Sequence, residues 1–271
     1  KNTKNSFSLN EVPKYNGKAS VVVHGNQPYF TSREKQNTKS FESYHKLDKL
    51  GRCGVAYANI SIDTMPTEKR GEIGQIRPSG WHTVKYSGVV DGNYLYNRCH
   101  LIAYCLTAEN ANKKNLITGT RYLNNEGMLP YETKTAQYID KTKNHVLYRV
   151  TPVFKGSDLV ASGVLMEAYS VEDQGKEISF CVYCYNVQPG VAIDYATGDS
   201  HLRGKNNQNS HKSSAKEHAS AVYILNTNTK KFHKPDCYSV KQMRSKNRKK
   251  YKGLRKKLIK DGYSPCKNCN P

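Results

Sequence analysis

Apolar and polar residues alternate most regularly in the second half of the chain. His145 to Phe154 alternates along its length, and the β-rich runs Leu159 to Tyr169 and Ile178 to Val187 follow it. This pattern predicts neighbouring strands of an antiparallel sheet. Upstream, β-formers recur over Trp81 to Val90 and Asn93 to Tyr96 around Asp91-Gly92, which predicts a hairpin that delivers the chain to Asn97. Leu123, Met128, Tyr131, Ala136, Tyr138 and Ile139 are spread over a polar stretch of helix formers, with Pro130 marking a helix start or a break. Residues 1 to about 55 are polar, with short extended candidates such as Ser20 to Val23 and turns at Asn16-Gly17, Gly25-Asn26 and Gly51; they read as an irregular lead-in packed on the core. The fold class expected is α+β with a central antiparallel sheet.

After Tyr195 the composition changes to Gly, Asn, Ser, His and Lys without apolar periodicity, as in a linker. The division expected is a main domain over 1–195, a linker over 196–220 and a small basic module over 221–271. In a chain of 271 residues with net charge +21, that module alone carries 15 Lys and Arg against two Asp, a net +13, which leaves about +8 elsewhere. Such a field attracts polyanions through counterion release, which makes nucleic acid the first partner to consider, with a soluble protein that is merely basic, or one drawn to anionic membrane surfaces, as the alternatives. No stretch reaches the roughly 20 apolar residues that span a bilayer. The chain begins at Lys1 rather than Met, so an upstream segment is expected to have been removed. Eight cysteines are too sparse for a disulfide scaffold at this length. Cys181 and Cys184 stand three apart in a predicted strand, where they point to opposite faces and so do not act as a pair.

The densest chemistry lies between Asn97 and Glu132. The run Asn97-Arg98-Cys99-His100, then Asn115, then Asn124 nine residues on, then Glu132 eight further on, resembles the DNA/RNA non-specific endonucleases with a ββα-metal finger. Arg77-Pro78-Ser79-Gly80-Trp81-His82 and Gly127-Met128-Leu129-Pro130-Tyr131-Glu132 resemble, within that family, the secreted or DNA-entry nucleases of Gram-positive bacteria. The resemblance covers roughly residues 10 to 195. Asn97 and Cys99 stand where the family motif has Asp and Gly, so a carboxylate that orients neighbouring groups is missing.

The resemblance implies a secreted or cell-surface, Mg²⁺-dependent endonuclease, with Mn²⁺ able to substitute, that hydrolyses DNA and RNA to 5′-phosphate ends. The residue types suit that chemistry. Neutral His100 can take a proton from water, and the amide oxygen of Asn124 suits a hard cation, with Asn125 the alternative ligand. Glu132 holds the cation's waters, Arg98 contacts a phosphate oxygen, Asn115 orients water or substrate, and Arg121 is a further phosphate contact. The bland readings are a solvated helix residue for Glu132, a cap for Asn115 and a surface charge for Arg121. A second function stays open: a nucleic-acid-binding protein of this fold whose turnover was lost with the Asn97 and Cys99 replacements.

In the tail, His233-x3-Cys237 and Cys266-x2-Cys269 form a one-His, three-Cys set able to close tetrahedrally on Zn²⁺. A module of about 50 residues has too small a core to fold readily alone, which favours a structural metal over disulfides or free thiols. The tail is similar to the small Ada-like metal-binding tails appended to some bacterial nucleases. A basic helix is expected from Lys241 to Lys260.

Overall fold

The computed structural model describes residues 7–203, 221–235, 237–241, 243–266, 269 and 271. The chain divides into two compact units, 1–204 and 205–271.

The first unit is built on a six-stranded antiparallel sheet. In chain order its strands are β1 (Ser20–Val22), β2 (Phe41–Tyr44), β3 (Ala56–Ile60), β6 (Val146–Val153), β7 (Gly163–Ser170) and β8 (Ser179–Tyr185), arranged β1-β8-β7-β6-β3-β2. The three strands expected from the alternation are the centre of this sheet. Its two edges come from the polar lead-in: β1 falls on the extended candidate Ser20 to Val23, whereas β2 lies in a stretch expected to be irregular. The alternation sorts residues between two faces. Ala56, Ala58, Tyr148, Val150, Met166, Val182 and Cys184 belong to the main core, whereas Leu165, Cys181 and Tyr183 pack on the other side. Cys181 and Cys184 thus lie on opposite faces, as the strand spacing requires.

The main core is closed by an inserted ββα unit. Strand β4 (Tyr96–His100) pairs antiparallel with β5 (Leu116–Thr120), and a single helical turn, α1 (Tyr104–Thr107), lies in the connection. A π-helical turn over Leu123–Met128 then runs into α2 (Leu129–Thr142), with Pro130 in the first turn of α2. Pro fits there because its missing N–H has no partner at a helix start. Leu123, Met128 and Ile139 are fully buried in the core. The hairpin expected before Asn97 is reduced to turns and one isolated bridge, Lys85 to Tyr94. Regular structure also continues past Tyr195: β9 (Val191–Ile193) pairs with β10 (Ser200–Leu202). The rest of the expected linker, 204–220, lies outside the described residues.

The second unit is a four-stranded sheet ordered β13-β11-β12-β14, from β11 (Ala221–Asn226), β12 (Lys231–His233), β13 (Arg248–Gly253) and β14 (Ser264–Pro265). Two short helices accompany it, α3 (Tyr238–Lys241) and α4 (Arg255–Lys260). Tyr223, Leu225, Phe232 and Leu258 form its small core. The single basic helix expected over 241–260 is not formed. Its middle third is β13, which pairs with β11 along six residues and sets Tyr251 beside Tyr223. Strand pairing outweighs the helix propensity of a Lys-rich run.

Candidate active site

His100 ends β4 and is 7% exposed. Its Nε2 lies 2.8 Å from the Asn110 carbonyl oxygen, so Nε2 carries the proton and Nδ1 keeps the lone pair. Nδ1 faces the guanidinium of Arg70 at 3.4 Å. Burial lowers the imidazole from its usual 6.5 to about 4, with the Arg70 charge adding to burial and the Asn110 contact opposing it. His100 is therefore neutral at physiological pH, as a general base has to be.

Asn124 sits in the π-helical turn, a distortion found frequently at functional sites. The turn is held in place by buried polar contacts. Asn186, fully buried, accepts from Thr120 N and donates to the Thr118 and Ala161 carbonyls, and Thr120 Oγ1 in turn accepts from Leu123 N. The Asn124 side-chain oxygen accepts from the Cys99 thiol at 3.2 Å, while its nitrogen donates to Asn125 Oδ1 at 3.2 Å.

Glu132, in the first turn of α2, is 8% exposed and has no hydrogen-bond or ion-pair partner among the described residues. Burial pushes its carboxyl up to about 8, opposed by the charge of Arg70. The Glu132 carboxyl and the Asn124 amide oxygen are oxygen donors of the kind a hard divalent cation takes, and the carboxyl would give up its proton on binding one. Contacts and charge link the group in sequence: Asn124 touches Cys99, Glu132 acts electrostatically on Cys99, and Arg70 acts on both Glu132 and His100.

The other expected residues lie elsewhere. Asn115 is fully buried, with Oδ1 accepting from Ile102 N and Nδ2 donating to Ile102 O, both at 2.9 Å. Both ends of its amide are used on backbone, so it pins the turn after His100 rather than orienting water or substrate. Arg98 lies over the Trp81 ring at 4.1 Å and donates to the Ile76 and Gly74 carbonyls at 2.6 and 2.7 Å. These bonds commit its Nε and one terminal nitrogen to the 74–81 loop, which restricts the phosphate contact expected of it. Arg121 donates to Asn97 Oδ1 at 3.2 Å and lies 3.7 Å from the Asp91 carboxylate. The Arg121 guanidinium thus links Asn97 to the Asp91 carboxylate. Sequence reading missed Arg70, Asn110 and Asn186. Arg70 stands 30 residues before His100 in a polar loop with no periodicity, so no spacing marks it.

In the second unit one donor atom from each of His233, Cys237, Cys266 and Cys269 lies within 4.8 Å of the others. His233 Nδ1 is 3.6 Å from Cys237 Sγ, close to the roughly 3.5 Å edge of a zinc tetrahedron with ordinary bond lengths. His233 Nε2 is buried without a partner among the described residues. This donor set fits a soft-ligand metal such as zinc.

Comparison with known proteins agrees with the architecture. The fold resembles NucA from Streptococcus agalactiae with magnesium bound, at 25% identity and TM-score 0.59 over 67% of this chain and 86% of that one. It also resembles the Sda1 nuclease with a bound zinc ion, at 25% identity and TM-score 0.57 over 73% of this chain and all of that one. A deoxyribonuclease of Streptococcus dysgalactiae subsp. equisimilis is 32% identical over 111 residues, 39% of this chain; the matched stretch spans 33% of that protein's length. Residues 31–172, just over half of the chain and including His100, Asn124 and Glu132, match the DNA/RNA non-specific endonuclease family, and with the ββα unit seated on its antiparallel sheet the chain belongs to that family.

Proposed function

We propose that the protein is a Mg²⁺-dependent, sequence-non-specific endonuclease that cuts DNA and RNA to 5′-phosphate ends, acting outside the cell or at its surface. The observation that carries the reading is His100: buried, neutral, and fixed by the Asn110 carbonyl with the lone pair on Nδ1. That nitrogen takes a proton from water as the water attacks phosphorus, the P–O3′ bond breaks, and the departing 3′ oxygen takes up a proton from solvent. A divalent cation held by Asn124, with Glu132 close by, supplies charge neutralisation at the phosphate when bound. Arg70 adds a fixed positive charge beside the base, suited to a phosphate oxygen. Arg98 holds the 74–81 loop against β4 and brings a second guanidinium to that loop.

The tail carries a structural zinc on His233, Cys237, Cys266 and Cys269, and its basic strand β13 adds non-specific affinity for phosphate backbones. The localisation rests on the resemblance to secreted nucleases.

Supercoiled plasmid and RNA are incubated with the protein in Mg²⁺ and in EDTA, beside His100→Ala. Wild type degrades both substrates only with Mg²⁺, and the variant is slower by about 10²–10⁴-fold, the contribution of a general base. Cleavage that persists in the variant would misplace the base. Clean DNA binding with no cleavage under any metal would favour a binding protein that has lost turnover.

A further inference from the structure

The thiol of Cys99 lies in the candidate site without being one of the groups expected to react. It is fully buried in β4, 3.2 Å from Asn124 Oδ1 and 3.5 Å from Met128 Sδ. Space for it is provided by the partner strand. Gly119, across the β4–β5 ladder, has no side chain, and a Cβ there would stand 2.5 Å from the Cys99 Cβ. The pocket for the thiol is thus built from β4, β5 and the π-helical turn together.

An asparagine amide has two ends of opposite character, an oxygen that accepts and a nitrogen that donates. A cation is attracted by the first and repelled by the second, so an Asn ligand has to be held the right way round. Here a donor, the Cys99 S–H, meets the oxygen, and an acceptor, Asn125 Oδ1, meets the nitrogen. Turning the amide over would exchange the S–H···O bond, the shortest of the thiol's contacts, for a weaker N–H···S contact and would set oxygen against oxygen on the other side. The Asn124 oxygen has two lone pairs, so the thiol occupies one and leaves the other open. The buried Glu132 carboxyl, which acts electrostatically on Cys99, is a second oxygen donor of the kind a hard cation takes.

We infer that Cys99 is a positioning residue for divalent-metal binding, its thiol fixing the Asn124 amide with the oxygen presented to the cation. The inference rests on the reading of Asn124 as a metal ligand. Its role is indirect: Cys99 touches neither substrate nor metal, and it acts on affinity by removing an orientation of Asn124 that does not bind.

The test is Mn²⁺ affinity of the full chain, read from the electron paramagnetic resonance of free Mn²⁺, for wild type, Cys99→Ser, Cys99→Ala and Asn124→Ala. Ser and Ala leave nearly the same volume and differ in the hydroxyl donor, so a packing role would affect both alike. Binding that survives in Asn124→Ala is counted as belonging elsewhere and subtracted. Cys99→Ala is expected to bind about fivefold more weakly, the effect of one lost hydrogen bond. Cys99→Ser is expected to retain wild-type affinity. If Cys99→Ala does not fold, Cys99→Val, which also lacks a donor, carries the same expectation. Equal weakening of the Ser and Ala variants, or none in either, would overturn the positioning role while Asn124→Ala still loses the metal. Undiminished binding by Asn124→Ala would overturn the ligand reading itself, and the inference with it.

Discussion

With its Nε2–H held by the Asn110 carbonyl and nearly all of its surface buried, His100 resists protonation until the pH is far below that of an exposed histidine. In the unfolded chain it protonates near 6.5, but in the folded chain only near 4. As the pH falls through that window the unfolded state binds a proton that the folded state does not, so stability is lost from about pH 6.5 downwards and the loss levels off below about 4. Its size is on the order of 3 kcal/mol. Urea titrations in EDTA at several pH values should show a steeper acid loss for wild type than for His100→Asn; parallel curves would refute the buried neutral imidazole. Asn115 gives a second prediction. Replacing it with Ala leaves the Ile102 N–H and carbonyl unpaired in the core, and should cost about 2–4 kcal/mol, seen as a lower denaturation midpoint. Nuclease activity should fall with it, because the turn carrying His100 loses its anchor. At this scale the sequence made His100, Asn124 and Glu132 legible, since their spacing and chemistry are local and specific. It left Asn115 open between a cap and a substrate-orienting amide because the two are the same letter, and only the neighbours of each end distinguish them.

The lead-in segment shows how an element without a pattern becomes ordered. Glu167 on β7 is 1% exposed and faces Arg149 across the β6–β7 register, with two hydrogen bonds of 2.8 and 2.9 Å. The same carboxylate accepts from Tyr29 N at 2.7 Å, and the Arg149 guanidinium lies over the rings of Phe30 and Tyr57 at 4.7 and 5.5 Å. Residues 29–34 are thus fixed by charge and aromatic contacts to strands more than a hundred positions away, which periodicity cannot reveal. Glu167→Ala strands the arginine on a largely buried sheet face and should destabilise the protein by about 3–5 kcal/mol, against a smaller loss for Glu167→Gln. Equal midpoints for wild type and Glu167→Ala would show that the network contributes nothing. The Lys-rich run that forms β13 makes the converse point: its local propensity is helical, and the exposed flank of β11 overrides it.

The two compact units differ in what makes them stable. The first has a core that runs from the central sheet through the ββα unit. Among its described residues the second has four buried in its main cluster, beside a separate cluster that contains Cys237 and Cys266, a small core that a bound metal would reinforce. The purified protein should therefore contain about one zinc per chain by atomic absorption, and a strong chelator should abolish the unfolding transition of the tail while leaving that of the nuclease unit in place. A metal-free tail that melts cooperatively at the same temperature would rule the structural zinc out. The sequence by itself determined the central strands and the helix after Pro130, and it marked the two Cys/His pairs and the spaced residues as candidates, because periodicity and close ligand spacing are properties of short stretches of chain. Only the tertiary structure decided that the polar lead-in supplies both edges of the sheet, that Arg70 stands beside His100, and that Asn115 serves the backbone. Each of these depends on which distant residue fills the other side of a contact, and a linear sequence does not state that.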